Sequence, residues 1–163
     1  MSDCPFCHLP IEHIVLEDEY SQAFFDDFPI SPGHLLIIPK VHVTTLFDLN
    51  AVELASIMDM LRLAREILID QFDPDGFNIG INDGEAAGQT ISHLHLHLIP
   101  RYEGDVADPR GGIRWLIPAK ARYCKDPEPV NIYCPHCINF NKECHVYPED
   151  YELPCSAFKV GST

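Results

Sequence analysis

Basic residues are scarce in this sequence, and no long apolar run occurs; each shortage excludes something. Eleven Lys and Arg stand against 25 Asp and Glu, a formal net charge of −14. A field of that sign opposes binding to polyanions, so neither nucleic acid nor an anionic membrane is expected as a partner. No stretch approaches the roughly 18 apolar residues of a membrane-spanning helix. The N-terminus, MSDCPFCHLP, lacks the basic and apolar regions of a secretory signal, so a cytoplasmic setting is expected. Internal repeats and low-complexity tracts are missing too. What remains is an ordinary globular composition, 46% hydrophobic and 22% charged, over 163 residues. That length suits one domain with a small appendage.

Seven cysteines fall into two distant clusters. Cys4 and Cys7 form one C-x-x-C; Cys134 and Cys137 form another, followed by Cys144 and Cys155, with Cys124 left over. Without a secretion signal, this spacing reads as metal binding before disulfide formation. Residues 124–163 hold five of the seven cysteines and many prolines, which places a boundary near residue 123. The expected organisation is a domain over 1–122 and a Cys-rich extension over 123–163.

Residues 11–29 read as a hairpin with Asp18 and Glu19 near its turn. Ser31-Pro32-Gly33 is a second turn, feeding His34-Leu35-Leu36-Ile37-Ile38-Pro39, a run suited to a buried central strand. Asn50 with Glu53 makes a capping box. Behind it Leu54, Ile57, Met58, Leu61, Ala64, Ile67 and Leu68 mark a helix over 50–72, which Asp73-Pro74-Asp75-Gly76 ends. Residues 77–82 and 93–99 alternate as strands. Between them lies Asp83-Gly84-Glu85-Ala86-Ala87-Gly88-Gln89, a loop of small residues.

On a strand, alternate side chains share a face. His93, His95 and His97 are therefore expected on one face, with Leu94, Leu96 and Leu98 covering a core on the other. Three imidazoles in a row have no packing rationale, and two chemistries fit them. They could hold a catalytic metal with an open position. Alternatively one imidazole is the nucleophile, oriented by its neighbours. Spacing alone leaves both open.

The flanks decide. His93-Leu94-His95-Leu96-His97-Leu98-Ile99 resembles the motif of the histidine-triad (HIT) family. Asp83 through Thr90 upstream, with Pro100-Arg101 and Gly104-Asp105 downstream, is similar to the fragile-histidine-triad branch, which hydrolyses dinucleoside polyphosphates. Pro32-Gly33-His34 and Pro39-Lys40-Val41-His42 resemble the family's other signature, and the likeness covers roughly residues 4–120. It implies that His95 attacks the α-phosphate, that a nucleotidyl-histidine forms, and that water releases the mononucleotide. A neutral imidazole, with an ordinary pKa of about 6.5, suits that attack. Its other nitrogen must donate a hydrogen bond, which the resemblance assigns to the carbonyl of His97. His97 and His34 are implied as companions that donate hydrogen bonds where negative charge develops.

By the same resemblance Gln89 and Thr90 contact the scissile or leaving phosphate, and Asn82 lies near the α-phosphate. Gly84, Ala86, Ala87 and Gly88 let the backbone approach those phosphates. Asp26 matches the position that grips the ribose hydroxyls, as a carboxylate can. An asparagine is usual there in the fragile-triad branch, whereas aspartate resembles the phosphoramidase and bacterial branches; the leaving group is therefore left open. A third histidine, not glutamine, argues against the nucleotidyltransferase branch.

Many bacterial members begin with C-x-x-C and bind one zinc. The resemblance implies Cys4, Cys7, His42 and His93 as its ligands, a closed structural site pinning the N-terminus without touching the chemistry. In the extension, Cys134, Cys137, Cys144 and Cys155 can supply four thiolates to a second structural zinc or to an iron–sulfur cluster.

The expected fold is α+β: about five largely antiparallel strands, one long helix and a Cys-rich extension. The expected function is hydrolysis at the α-phosphate of dinucleoside polyphosphates or nucleoside phosphoramidates. It uses no catalytic metal, although a divalent ion can accompany the substrate phosphates, and the resemblance implies a homodimer. Two competitors remain: a nucleotide-binding scaffold or sensor with little turnover, and a metal-dependent hydrolase using the three strand histidines as ligands.

Overall fold

The computed structural model describes residues 4–121, and its contacts divide the chain into two units, Met1–Glu103 and Gly104–Thr163. All strands and the long helix among the described residues lie in the first. β1 (Ile14–Glu17) and β2 (Ser21–Phe25) form the expected hairpin, entered by a short 3-10 turn over Ile11–His13. Asp18 makes the bend: its Oδ1 accepts the N–H groups of Tyr20 and Ser21 at 2.8 and 2.7 Å. β3 (Leu35–Pro39) is the expected central strand, buried at every residue.

Helix α1 spans Ala51–Phe72 and begins with the Asn50–Glu53 capping box satisfied in both directions. It ends at Asp73, which takes the left-handed conformation (φ 46°). β4 (Gly76–Ile81) and β5 (Leu96–Arg101) complete one sheet in the order β1-β2-β3-β5-β4, with every pairing antiparallel. The α+β architecture with five strands and one long helix is as expected.

Alternation along the strands gives the sheet two faces. Ala23, Leu35, Ile37, Leu96 and Leu98 pack with Ile57, Met60, Leu61, Ala64 and Leu68 of α1. Phe24, Leu36 and Ile38 point the other way and meet Phe6 from the N-terminal segment. His97 pairs with Leu36 across β3 and β5, so it belongs to the face away from the helix. The larger core thus packs one side of the sheet against α1, and His97 shares the other side with the smaller apolar cluster around Phe6.

Two details differ from the sequence reading. Leu54 and Met58 are exposed (38% and 54%), because the packed rows of α1 run through 57, 60, 61, 64 and 68 and leave them on the flank. Ser56 turns inward instead, where its hydroxyl donates to Asp18 at 2.8 Å. The strand expected over 93–99 starts only at Leu96. The Leu94 N–H donates to the carbonyl of Val43 at 2.7 Å, outside the ladder, so His93 and His95 sit on the approach to the strand.

The described part of the second unit consists of two 3-10 helices, Gly112–Leu116 and Pro118–Lys120. The Trp115 Nε1–H donates to the Arg110 carbonyl at 2.8 Å. The extension expected over 123–163, with Cys134, Cys137, Cys144 and Cys155, lies outside the described residues. No helix among the described residues is long and apolar enough to cross a membrane.

Candidate functional site

The turn before β3 delivers the first histidine. Gly33 adopts φ +81°, and a Cβ there would stand 3.1 Å from the Phe72 ring and 3.2 Å from Pro100. Glycine satisfies both the backbone angle and the close approach. The Ser31 hydroxyl donates to the Pro100 carbonyl, clamping the turn to the end of β5. His34 follows, buried, at the mouth of β3.

His34 and His97 meet ring to ring, Nε2 to Nδ1 at 3.0 Å, while the His95 and His97 ring centroids are 5.2 Å apart. The Asp26 Oδ2 lies 3.5 Å from Nδ1 of His34 and 4.0 Å from Nδ1 of His97. Its Oδ1 accepts the Phe28 N–H at 2.9 Å. Burial lowers the His34 pKa against the opposing pull of Asp26. It lowers that of His97 to about 4, with His95 and His34 pushing the same way. Both rings are therefore neutral at ordinary pH, and their tautomers follow from their partners. The Ile30 N–H points at Nδ1 of His34 (3.4 Å), which makes Nε2 of His34 the protonated nitrogen. That N–H donates to Nδ1 of His97, leaving the proton of His97 on Nε2.

His95 is buried, and its Nδ1 stands 2.8 Å from the carbonyl of His93. A carbonyl only accepts, so Nδ1 is protonated and Nε2 carries the lone pair. The acceptor was expected to be His97; it is His93, because the chain has not yet entered the ladder at 93 and its carbonyl is free to turn back.

Gln89 braces the loop between β4 and β5. Its amide oxygen accepts the Gly84 N–H at 2.8 Å, and its nitrogen donates to the Thr44 carbonyl at 2.9 Å. The Thr45 hydroxyl anchors the same loop by donating to the Asp83 carboxylate at 2.9 Å. Asn82 is half-buried where β4 ends, and Thr90 is exposed at the far end of the loop.

Cys4, Cys7, His42 and His93 bring their ligand atoms within 4.8 Å of one another, a group that could hold a metal ion. The fit can be tested on distances. A thiolate and an imidazole on one tetrahedral zinc stand about 3.5 Å apart. Nδ1 of His93 is 3.5 Å from both sulfurs, and Nδ1 of His42 is 3.1 Å from Cys7. Nε2 of His93 lies 2.9 Å from the Pro39 carbonyl, which fixes its proton there and leaves Nδ1 a lone pair for a metal. Asp26, His34 and His97 form a second ligand-capable group, and His95 belongs to neither. The three strand histidines are thus not gathered around one point, contrary to the metallohydrolase alternative.

The family model described as the HIT domain matches residues 11–104. The chain belongs to the HIT family. It is 36% identical over 104 residues to the asymmetrical bis(5'-nucleosyl)-tetraphosphatase of Schizosaccharomyces pombe, covering 63% of this chain and 57% of that protein. It is 37% identical over 109 residues to an adenylylsulfatase of Arabidopsis thaliana, covering 64% and 55%. The chain thus spans a little over half the length of both. A zinc-bound histidine-triad protein from Mycobacterium smegmatis superposes with a TM-score of 0.58 at 36% identity, covering 63% of this chain and 78% of that one.

In this HIT chain the sequence-derived candidates His34, His95, His97 and Asp26 converge on one face, beside a groove of about 470 Å³ lined by Phe25, Asp26, Ile30 and His34. One residue escaped the sequence reading. Phe6, between the two cysteines, is buried and packs T-shaped against the rings of His93 and His95, with centroids 6.0 and 5.4 Å away. Its one signal was a bulky aromatic within a C-x-x-C.

Proposed function

We propose that the protein hydrolyses nucleotides at the α-phosphate, acting on dinucleoside polyphosphates or nucleoside phosphoramidates through a nucleotidyl-His95 intermediate. The observation that carries this reading is the Nδ1–H of His95 held by the His93 carbonyl, which leaves Nε2 a free lone pair. In the first step Nε2 forms a bond to the α-phosphorus, and the bond to the leaving group breaks with its electron pair on that group. Water then attacks phosphorus, the P–N bond returns its pair to Nε2, and a proton passes to solvent.

The Nε2–H of His97 donates to the phosphoryl oxygen as charge builds, kept a donor by the chain of bonds from Ile30 through His34. Asp26 takes the ribose hydroxyls through Oδ2, since Oδ1 is already used by Phe28. Gln89 retains one amide N–H for a phosphate oxygen after its two loop bonds, and Asn82 and Thr90 approach from the same loop. The names of the relatives, a bis(5'-nucleosyl)-tetraphosphatase and an adenylylsulfatase, support a nucleotide as the substrate class.

Zinc is the proposed occupant of the Cys4, Cys7, His42 and His93 group, where it would supply structural cross-linking. A homodimer is proposed across β4, an edge strand whose Ile79 is 45% exposed. The test is a chromatographic turnover assay on diadenosine polyphosphates and an adenosine phosphoramidate, after chelation with magnesium added back. Release of AMP with incorporation of one nucleotidyl group per active chain is expected. Tight binding without turnover would instead make the protein a nucleotide sensor.

A further inference from the structure

We propose that the Cys4–Cys7 knuckle is a positioning device for His95, acting through Phe6 and His93; this rests on the nucleophile assigned above. His93 faces two ways. Its ring nitrogen stands 3.5 Å from both cysteine sulfurs, and its backbone carbonyl accepts the Nδ1–H of His95 at 2.8 Å. Whatever fastens the His93 ring to the knuckle therefore fastens the acceptor that sets the tautomer of His95.

One hydrogen bond does not immobilise an imidazole, because the ring can pivot about it. Phe6 removes that freedom. Its ring meets His95 at 5.4 Å and 72°, and is backed by Phe24 at 5.3 Å and 61°. The segment that carries Phe6 is a single 3-10 turn, Pro5–His8, closed by the Cys7 N–H donating to the Cys4 carbonyl at 3.2 Å. So short a turn has little cohesion of its own. The two cysteines flank Phe6 on either side, so ligation of their sulfurs together with His42 and His93 holds the aromatic ring in place. The knuckle thus acts on the reaction without touching substrate, through T-shaped aromatic packing against the nucleophile's ring and a carbonyl at its Nδ1.

The experiment uses the full chain, metal-loaded, as wild type, Phe6→Leu and Phe6→Ala. Proton NMR follows exchange of the His95 Nδ1–H, assigned by its loss in His95→Asn, with backbone amides of β3 and β5 as the control for global opening. Both Phe6 variants are expected to keep their metal and amide protection. The ring proton should exchange about tenfold faster, the worth of one aromatic edge contact. On a diadenosine polyphosphate kcat should fall about ten- to a hundredfold, with KM changed far less. Chelation of wild type under conditions that keep its circular dichroism should speed the same exchange.

Wild-type exchange in the Phe6 variants, or a raised KM at unchanged kcat, would overturn the proposal. Either the variants or the chelated protein suffices if the other does not fold. A wild type that hydrolyses nothing would sink the hydrolase reading, while the ring-proton exchange would still decide the positioning role.

Discussion

Nε2 of His34 donates to Nδ1 of His97 across 3.0 Å, so a histidine at the start of one strand sets the protonation pattern of a histidine on the next. The order begins at the Ile30 N–H and ends at Nε2 of His97. Removing His34 lets His97 carry its proton on either nitrogen. His34→Ala is therefore expected to lower kcat about a hundredfold, the scale of losing one oriented donor. His34→Gln, which can still place an N–H near Nδ1, should recover part of that loss. Steady-state kinetics decide; wild-type kcat in His34→Ala would mean that His97 orients itself.

The proposed nucleophile has a sharper test. His95→Ala is expected to abolish turnover while nucleotide binding stays within about tenfold, because the lost role is covalent and not adhesive. Calorimetry with a non-hydrolysable dinucleotide analogue measures the second half. Retained turnover would end the assignment.

Much of this was legible beforehand, for reasons that differ by residue. The hairpin at Asp18, the central strand after His34 and the capped helix from Asn50 all carry local signals: turn chemistry, continuous burial and a capping box. The triad's spacing announced a functional face, and the matching flanks identified the family. Three features resisted. The inward turn of Ser56 depends on Asp18, 38 residues earlier. The carbonyl that holds His95 depends on where β5 enters its ladder, which alternation of His and Leu does not reveal. Phe6 reaches His95 only because the fold brings the N-terminal turn onto the sheet.

His97 also predicts a pH dependence of stability. Its folded pKa is about 4, below the ordinary 6.5 of an unfolded histidine. Between those values the unfolded chain binds more protons, so stability rises with pH across the window and is lost as pH falls through it. The contribution is on the order of 3 kcal/mol at most. His34, whose pKa burial also lowers, acts in the same direction. Urea midpoints at about pH 7 and about pH 4.5 should differ less in His97→Gln than in wild type. That subtraction removes whatever acid sensitivity the two proteins share. An unchanged difference would mean that His97 titrates normally in the folded protein.

Gly33 joins stability to the site. Alanine there must adopt φ +81° and place a methyl 3.1 Å from the Phe72 ring and 3.2 Å from Pro100. The backbone alone costs about 1–2 kcal/mol, and the crowding adds to it. The turn should respond by moving outward, carrying His34 away from His97, so activity should fall along with stability. The two causes separate in a double mutant. Phe72→Leu gives the methyl room, and combined with Gly33→Ala it should cost less than the sum of the single changes, an interaction of roughly 0.5 kcal/mol or more. Strict additivity in urea unfolding would place the whole penalty in the backbone angle, and His34 would then keep its place beside His97 in the variant.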